Sequence, residues 1–133
     1  MVSNLAVKAF IVNSKEELFI VKRSSDDVQN PGLWELPGGR LNVDESPFDG
    51  LKREVKEECG LDIEVLNALS VQFYEQFDGK KITMINFVCK SLNKEVVLSN
   101  EHSEFEWIPL VKTKSKLCKY FHKEVDLYKK FFK

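Results

Sequence analysis

The sequence predicts an α+β protein in which a mixed β-sheet is covered by helices. Three observations carry that expectation. β-rich runs, a helix, further β-rich runs and a second helix follow one another with short connections. Residues 46–59 carry both end signals of a helix: Ser46 as N-cap, Pro47 at the first helical position, Asp49 completing a box-like start, and Gly60 after the last turn. Asp78-Gly79, set between two apolar runs, is a hairpin turn.

Taken in order, residues 5–13 read as a mostly buried strand ended by Asn13-Ser14, joined over residues 13–16 to a second strand at 17–23 as a hairpin. Residues 24–32 are polar and contain Asn30-Pro31-Gly32, which makes them a loop. Residues 33–36 form a short strand stopped by Pro37-Gly38-Gly39, and Trp34 within it is assigned to the core. In the helix, Phe48, Leu51, Val55 and Cys59 share one apolar face. Residues 62–77 make a long strand and 81–90 the returning one, with Phe73, Tyr74 and Phe77 read as core rather than as base-stacking surfaces. A short edge strand is expected at 95–98 and a last strand at 105–110. Thr113 or Ser115 would then cap a final helix whose apolar face includes Leu117, Phe121, Val125 and Tyr128.

A length of 133 residues suits one domain over 1–133. No apolar run approaches the ~20 residues of a membrane span, and Lys8 interrupts the apolar run nearest the N-terminus, so neither a membrane partner nor a signal peptide is expected. Cys59, Cys89 and Cys118 are far apart, with no Cys-x-x-Cys pair; zinc is not expected, and reduced thiols in a cytoplasmic setting are. The formal charge of −1 hides an asymmetry, because residues 112–133 hold eight lysines against Glu124 and Asp126 and leave an acidic body. Those lysines fit the solvated face of an amphipathic helix. No arginine accompanies them, and the aromatic residues among them belong to the apolar face and not to a single-strand stacking surface, so nucleic acid is not the expected partner.

The acidic body has a focus. Glu54, Glu57 and Glu58 stand at i, i+3 and i+4 and project together from the helix, where like charges destabilise it and Arg53 and Lys56 offset only part of the repulsion. A divalent cation removes the difficulty, since carboxylate oxygens are hard ligands of the kind Mg²⁺ takes together with waters and phosphates.

The stretch around the triplet resembles the Nudix box, Gly-x5-Glu-x7-Arg-Glu-U-x-Glu-Glu-x-Gly-U with U aliphatic. Gly39, Glu45, Arg53, Glu54, Val55, Glu57, Glu58, Gly60 and Leu61 fill its nine specified positions within 23 residues, and the lead-in Leu-Trp-Glu-Leu-Pro-Gly-Gly is also similar to the family's. The resemblance implies an α/β/α sandwich and a Mg²⁺-dependent hydrolase, with Mn²⁺ as a substitute, that cleaves a pyrophosphate linkage in a nucleotide. It also implies roles. Glu57 and Glu58 would ligate the metal together with the Gly39 carbonyl, and Glu54 would be a ligand or the base that activates water. Arg53 would orient the carboxylates. Arg23 would reach the nucleotide or its phosphates, though a strand-end charge needs no such role. Glu45, beside the same site, would support it or offset the helix dipole. A further carboxylate from a late loop is placed at Glu101, with Glu104 as runner-up and Glu106 as an exposed strand charge. His102 is assigned to the surface and His122 to a structural role.

The expected substrate is a nucleoside triphosphate, ordinary or oxidised, cleaved to monophosphate and pyrophosphate, because no flanking motif of the family's ADP-ribose, NADH or coenzyme A groups is present. ADP-ribose or a nucleotide sugar is the alternative within the same chemistry, and a non-catalytic nucleotide-binding module the alternative of another class. The oligomeric expectation is a monomer or homodimer.

Overall fold

The computed structural model describes residues 2–27 and 30–132; residues 28 and 29 of the expected loop lie outside the described residues. The described residues form seven strands: β1 (Val2–Ile11), β2 (Glu17–Arg23), β3 (Trp34–Glu35), β4 (Gly38–Asn42), β5 (Ile63–Glu75), β6 (Lys81–Ser91) and β7 (His102–Pro109). Helix α1 (Pro47–Cys59) separates β4 from β5, and helix α2 (His122–Phe132) closes the described chain after two short 3₁₀ turns at Leu110–Ser115 and Lys119–Phe121.

The strands divide between two sheets. One is mixed and four-stranded, in the order β4-β1-β6-β5, with β1 antiparallel to β4 and parallel to β6. The other is antiparallel and three-stranded, in the order β3-β2-β7. The hairpin expected between β1 and β2 forms only at its turn: Val12 bridges Leu18 antiparallel and Asn13 N–H donates to Glu17 O, but the bodies of the two strands belong to different sheets. The reason lies in β1 itself, where Ala6 to Ile11 are all buried, so both faces and both edges are covered by other elements and the chain must leave the sheet at Asn13. The Asp78-Gly79 turn does connect a hairpin, with Gly79 at φ 85° and β5 antiparallel to β6.

Alternation along β1 and β2 divides the apolar residues into two cores. Val7, Ala9, Ile11, Phe19 and Val21 pack with Leu51, Val55 and Cys59 of α1. Ala6, Phe10, Leu18 and Ile20 pack on the opposite side with Leu117, Phe121 and Val125 from the C-terminal segment. This is the α/β/α layering expected, with helices on both faces.

Helix α1 has the expected bounds. Ser46 Oγ accepts from the amides of Phe48 and Asp49, and Gly60 ends the helix in the left-handed region at φ 74°. Fully burying Leu51 and Val55 is worth about 1.5–3 kcal/mol each, whereas like-charged i,i+4 neighbours cost a few tenths. Packing thus holds the helix and leaves its acidic face available. Phe48, assigned to the apolar face, is instead half-exposed with its ring 5.5 Å from Phe87.

Other expectations need correction. The strand expected to stop at Pro37-Gly38-Gly39 is followed at once by another, Gly38–Asn42, which pairs with β1 as β4. No strand forms at 95–98. There Val97 N–H donates to Cys59 O and Ser99 N–H donates to Glu58 O, so this segment satisfies carbonyls that the end of α1 leaves open. Neither Thr113 nor Ser115 caps a long helix: Thr113 is buried with its hydroxyl on Leu110 O, and α2 begins at His122. No helix among the described residues is long and apolar enough to cross a membrane.

Candidate active site

Strand β4 lies across α1 and is thin where it does so. A Cβ on Gly39 would stand 2.8 Å from Glu54 Oε2, and one on Gly38 would stand 2.1 Å from Val7 O at a φ of 139°. The paired glycines let the carboxylates of Glu54 and Glu58 come up against the sheet, where Gly38 N–H points at Glu58 Oε1 over 3.4 Å. Glu58 is buried, 3% exposed. Burial pushes its carboxyl well above the ordinary carboxylate range; Lys8 pulls against the rise, and the neighbouring Glu54 and Glu35 add to it.

Arg53 organises the outer side of the same helix. Its Nε and Nη2 hold Glu45 at 2.7 and 2.9 Å, and its Nη1 reaches Glu54 at 3.1 Å and Glu57 at 3.2 Å. Glu45 also accepts from Asn42 N–H. The Arg53 hydrogen bonds, then that amide, lower the Glu45 carboxyl to about 2 and raise the guanidinium further above its ordinary value. Glu57 remains largely exposed on the solvent side of this fork.

Behind the carboxylates sits a group that the sequence did not announce. Glu35 is buried, and its two oxygens take Lys8 Nζ at 3.0 Å, Arg23 at 3.0 and 3.2 Å, and His102 Nε2 at 2.9 Å. Burial alone would raise the Glu35 carboxyl, but Lys8, His102 and Arg23 together hold it down at about 2. Arg23 divides its guanidinium between Glu35 and Asp27.

The assignment of His102 to the surface is wrong, because the residue is 5% exposed. By strict alternation it would share a face with Glu104 and Glu106. The β2–β7 register shifts between Lys22 and Arg23, so that Phe19 pairs Trp107 and Val21 pairs Phe105, but Arg23 pairs His102. This bulge turns His102 onto the inward face. Lys8 gives a readable signal, a cation at the centre of an apolar strand. Nothing in the sequence marks the bulge.

The structure brings Glu54, Glu58, Glu101, Gly39 and Arg23 together on the wall of one cavity of about 470 Å³. Glu45, Arg53, Glu57 and Glu104 are not on that wall. Glu104 lies out on β7, where Lys22 Nζ holds it at 3.2 Å. Tyr74, Tyr120, Phe121 and Met84 supply apolar surface to the same cavity, and Asn30 and Gln76 add amides. Phe73 and Phe77, read as core, are 70% and 76% exposed. Trp34 does pack against a core cluster, with Lys116 Nζ 4.5 Å above its ring. His122 is structural, its Nε2 on Leu117 O.

A model of the NUDIX domain matches residues 2–127, nearly the whole chain. The chain belongs to the Nudix family. A MutT protein from Methanosarcina mazei Go1 superimposes with a TM-score of 0.86 and 33% identity, covering 97% of this chain and 95% of that one. Nudix hydrolase 2 of Arabidopsis thaliana is 33% identical over 109 residues, which is 79% of this chain and 38% of the plant protein. Nucleoside triphosphatase NudI of Enterobacter sp. (strain 638) is 27% identical over 108 residues, 74% of this chain and 77% of that protein. The chain spans only 29% to 38% of the length of the plant Nudix hydrolases at the head of its matches.

Nudix hydrolases cleave pyrophosphate bonds in small nucleotides with the help of divalent metal ions. The residues of this Nudix domain fit such an ion on two observations. Glu58 is a buried carboxyl whose protonated form is favoured by burial, and further by Glu54 and Glu35 beside it, and a cation would take that proton's place. The space beside Glu54 is one that any side chain at position 39 would fill. None of the three cysteines is in a disulfide, burial raises all three thiols, Cys89 to about 12, and Cys118 alone of them lies on the cavity wall.

Proposed function

We propose that this Nudix domain hydrolyses a pyrophosphate bond of a nucleoside polyphosphate, with an ordinary or oxidised (d)NTP as substrate and a nucleoside monophosphate plus pyrophosphate as products. The observation that carries the reading is a single cavity whose wall holds the Glu54 and Glu58 carboxylates, the cations Lys8 and Arg23, and the aromatic rings of Tyr74, Tyr120 and Phe121. Acidic and basic groups side by side suit a metal-bound polyphosphate, and flat apolar surface suits a base. The likeness to a protein named as a nucleoside triphosphatase supports the triphosphate.

In this reading Glu58 and Glu54, with the Gly39 carbonyl, hold Mg²⁺ or Mn²⁺, and Glu57 completes the set from the rim. When bound, the cation neutralises the charge that develops on the phosphates and lowers the pKa of a coordinated water. Glu54 accepts the proton of the attacking water, with Glu101 the other cavity carboxylate available for that task. Arg53 fixes where Glu54 points through the 3.1 Å contact. Arg23 faces the substrate phosphates from β2. Glu45 acts on the substrate only through Arg53, which its carboxylate holds.

The test is a panel of nucleoside triphosphates, 8-oxo-dGTP, ADP-ribose and nucleotide sugars incubated with Mg²⁺, with products separated by chromatography. Pyrophosphate and monophosphate from a triphosphate support the proposal. AMP and ribose phosphate from ADP-ribose, with triphosphates untouched, would replace its substrate. Tight nucleotide binding with no turnover of any compound would overturn it in favour of a binding module.

A further inference from the structure

Glu58, Glu101 and His102 each offer one ligand atom, and these atoms all lie within 4.8 Å of one another. Two of the three are carboxylates, which by themselves say little. The imidazole says more. Its Nε2 faces Glu35 Oε2 at 2.9 Å, and an ionised carboxylate can only accept, so Nε2 carries the proton. In the neutral ring Nδ1 is then a bare lone pair. That nitrogen is buried, in a side chain 3% exposed, and has no hydrogen-bond partner among the described residues. The nearest acidic oxygen, Glu58 Oε1, stands 3.8 Å away, too far for a hydrogen bond. It is within the roughly 4.2 Å that one metal–nitrogen and one metal–oxygen bond can span.

A carboxylate that takes one ring N–H while the other nitrogen faces acidic oxygens is the arrangement found around metal-bound histidines. Here Glu35 is fixed in turn by Lys8 and Arg23, which keeps the tautomer and the ring orientation constant. An imidazole nitrogen also changes which ion is preferred, since it suits borderline transition metals better than Mg²⁺.

We infer that Glu58, Glu101 and His102 form a mixed nitrogen–oxygen cation site, with Glu35 orienting the imidazole, that binds a divalent transition metal such as Mn²⁺ or Co²⁺ more tightly than Mg²⁺. The inference rests on reading the cavity as a cation centre and adds a ligand from β7 to those of α1. Glu35 is a positioning residue in this site, because it acts only through the ring.

The experiment titrates the full chain and its His102→Gln and Glu101→Gln variants with Co²⁺, following visible absorption, and with Mg²⁺ by calorimetry. Wild type is expected to bind Co²⁺ roughly 10- to 100-fold more tightly than His102→Gln. Mg²⁺ affinity should change far less in that variant, and Glu101→Gln, altered at an exposed loop position, should also lose Co²⁺ affinity. Equal Co²⁺ affinity in wild type and a folded His102→Gln protein overturns the site. Should His102→Gln not fold, ¹⁵N spectra of the wild-type imidazole decide. A proton on Nε2 and an Nδ1 resonance that moves with Zn²⁺ support the site, and an Nδ1 resonance unmoved by Zn²⁺ overturns it. Failure here is separable from failure of the hydrolase reading. Turnover of nucleotides with Mg²⁺ alongside undiscriminating Co²⁺ binding removes only this site. A His102-dependent Co²⁺ signal in a protein that hydrolyses nothing upholds the site and removes the hydrolase reading.

Discussion

Arg53 and Glu45 lie eight residues apart and meet as a two-point fork, Nε to Oε2 at 2.7 Å and Nη2 to Oε1 at 2.9 Å. The fork leaves one nitrogen, Nη1, to touch Glu54 and Glu57. A lysine carries the charge but not the planar geometry, so it cannot hold Glu45 and aim at Glu54 together. Arg53→Lys is therefore expected to lower kcat by roughly 10- to 100-fold, the scale of a misplaced catalytic group. Unfolding free energy should fall by less than about 1 kcal/mol, since lysine keeps the positive charge and the pair is only partly buried. Steady-state kinetics beside urea unfolding checks both halves, and a wild-type kcat would remove Arg53 from the site.

Such a fork is legible in the sequence only as two box positions, and this contrast runs through the whole molecule. The helix was readable because its signals are local: Ser46, Pro47 and Gly60 state its ends, and the 3.6-residue spacing of Leu51, Val55 and Cys59 states its buried face. The long strands were readable one by one, as was the β5–β6 pairing across Asp78-Gly79, but neither β4 nor the neighbours of β1 were. Whether β1 meets β2 or β6 depends on what covers Ala6 to Ile11, and that is a long-range fact. The buried group around Glu35 was missed for a related reason. Lys8, Arg23, Glu35 and His102 come from four strands, and a register shift at Lys22/Arg23 decides which way His102 faces. Alternation counted from Trp107 gives the wrong face for it.

Glu58 separates stability from activity. Glu58→Gln removes a group whose charge is opposed by burial and by Glu54 and Glu35, so in metal-free solution at pH 7 the variant should unfold at the same or a higher urea concentration than wild type. Its turnover should drop about 100- to 1000-fold, the range seen when an electrostatic stabiliser of a transition state is lost. Glu57→Gln, altered at an exposed position, should keep the fold and lower turnover by at least about tenfold. Wild-type kinetics in either variant would take that residue out of the proposed ligand set.

The two glycines should fail differently. Gly38→Ala drives a methyl into the Val7 backbone at a φ that L-residues rarely adopt, and nothing there can yield. A loss of about 2–4 kcal/mol is expected, with activity falling through loss of folded protein. In Gly39→Ala the methyl meets Glu54 Oε2, the end of a side chain, which can move aside. That variant should keep most of its stability, within about 1 kcal/mol, and lose turnover per folded molecule. Denaturant midpoints and kcat measured on the same preparations distinguish the two; matching behaviour would contradict the account of β4.

Glu35 sets an acid limit. Its folded pKa of about 2 lies below the ordinary 4.5, so its ionised form is favoured by folding. The stability it contributes is present above pH 4.5 and is lost as pH falls from there towards 2. A lowering from 4.5 to about 2 corresponds to an upper scale of about 3 kcal/mol. Glu58 runs the other way, since its raised pKa makes the folded state easier to protonate, so the total stability of wild type does not isolate Glu35. The gap between wild type and Glu35→Gln does. Urea unfolding in metal-free buffer should show that gap at its widest near pH 7 and narrowing between about pH 4.5 and 2 as Glu35 becomes neutral in both folded and unfolded chains. A gap of constant size across that window would mean that Lys8, Arg23 and His102 do not hold Glu35 ionised, and the tautomer assigned to His102 would lose its support.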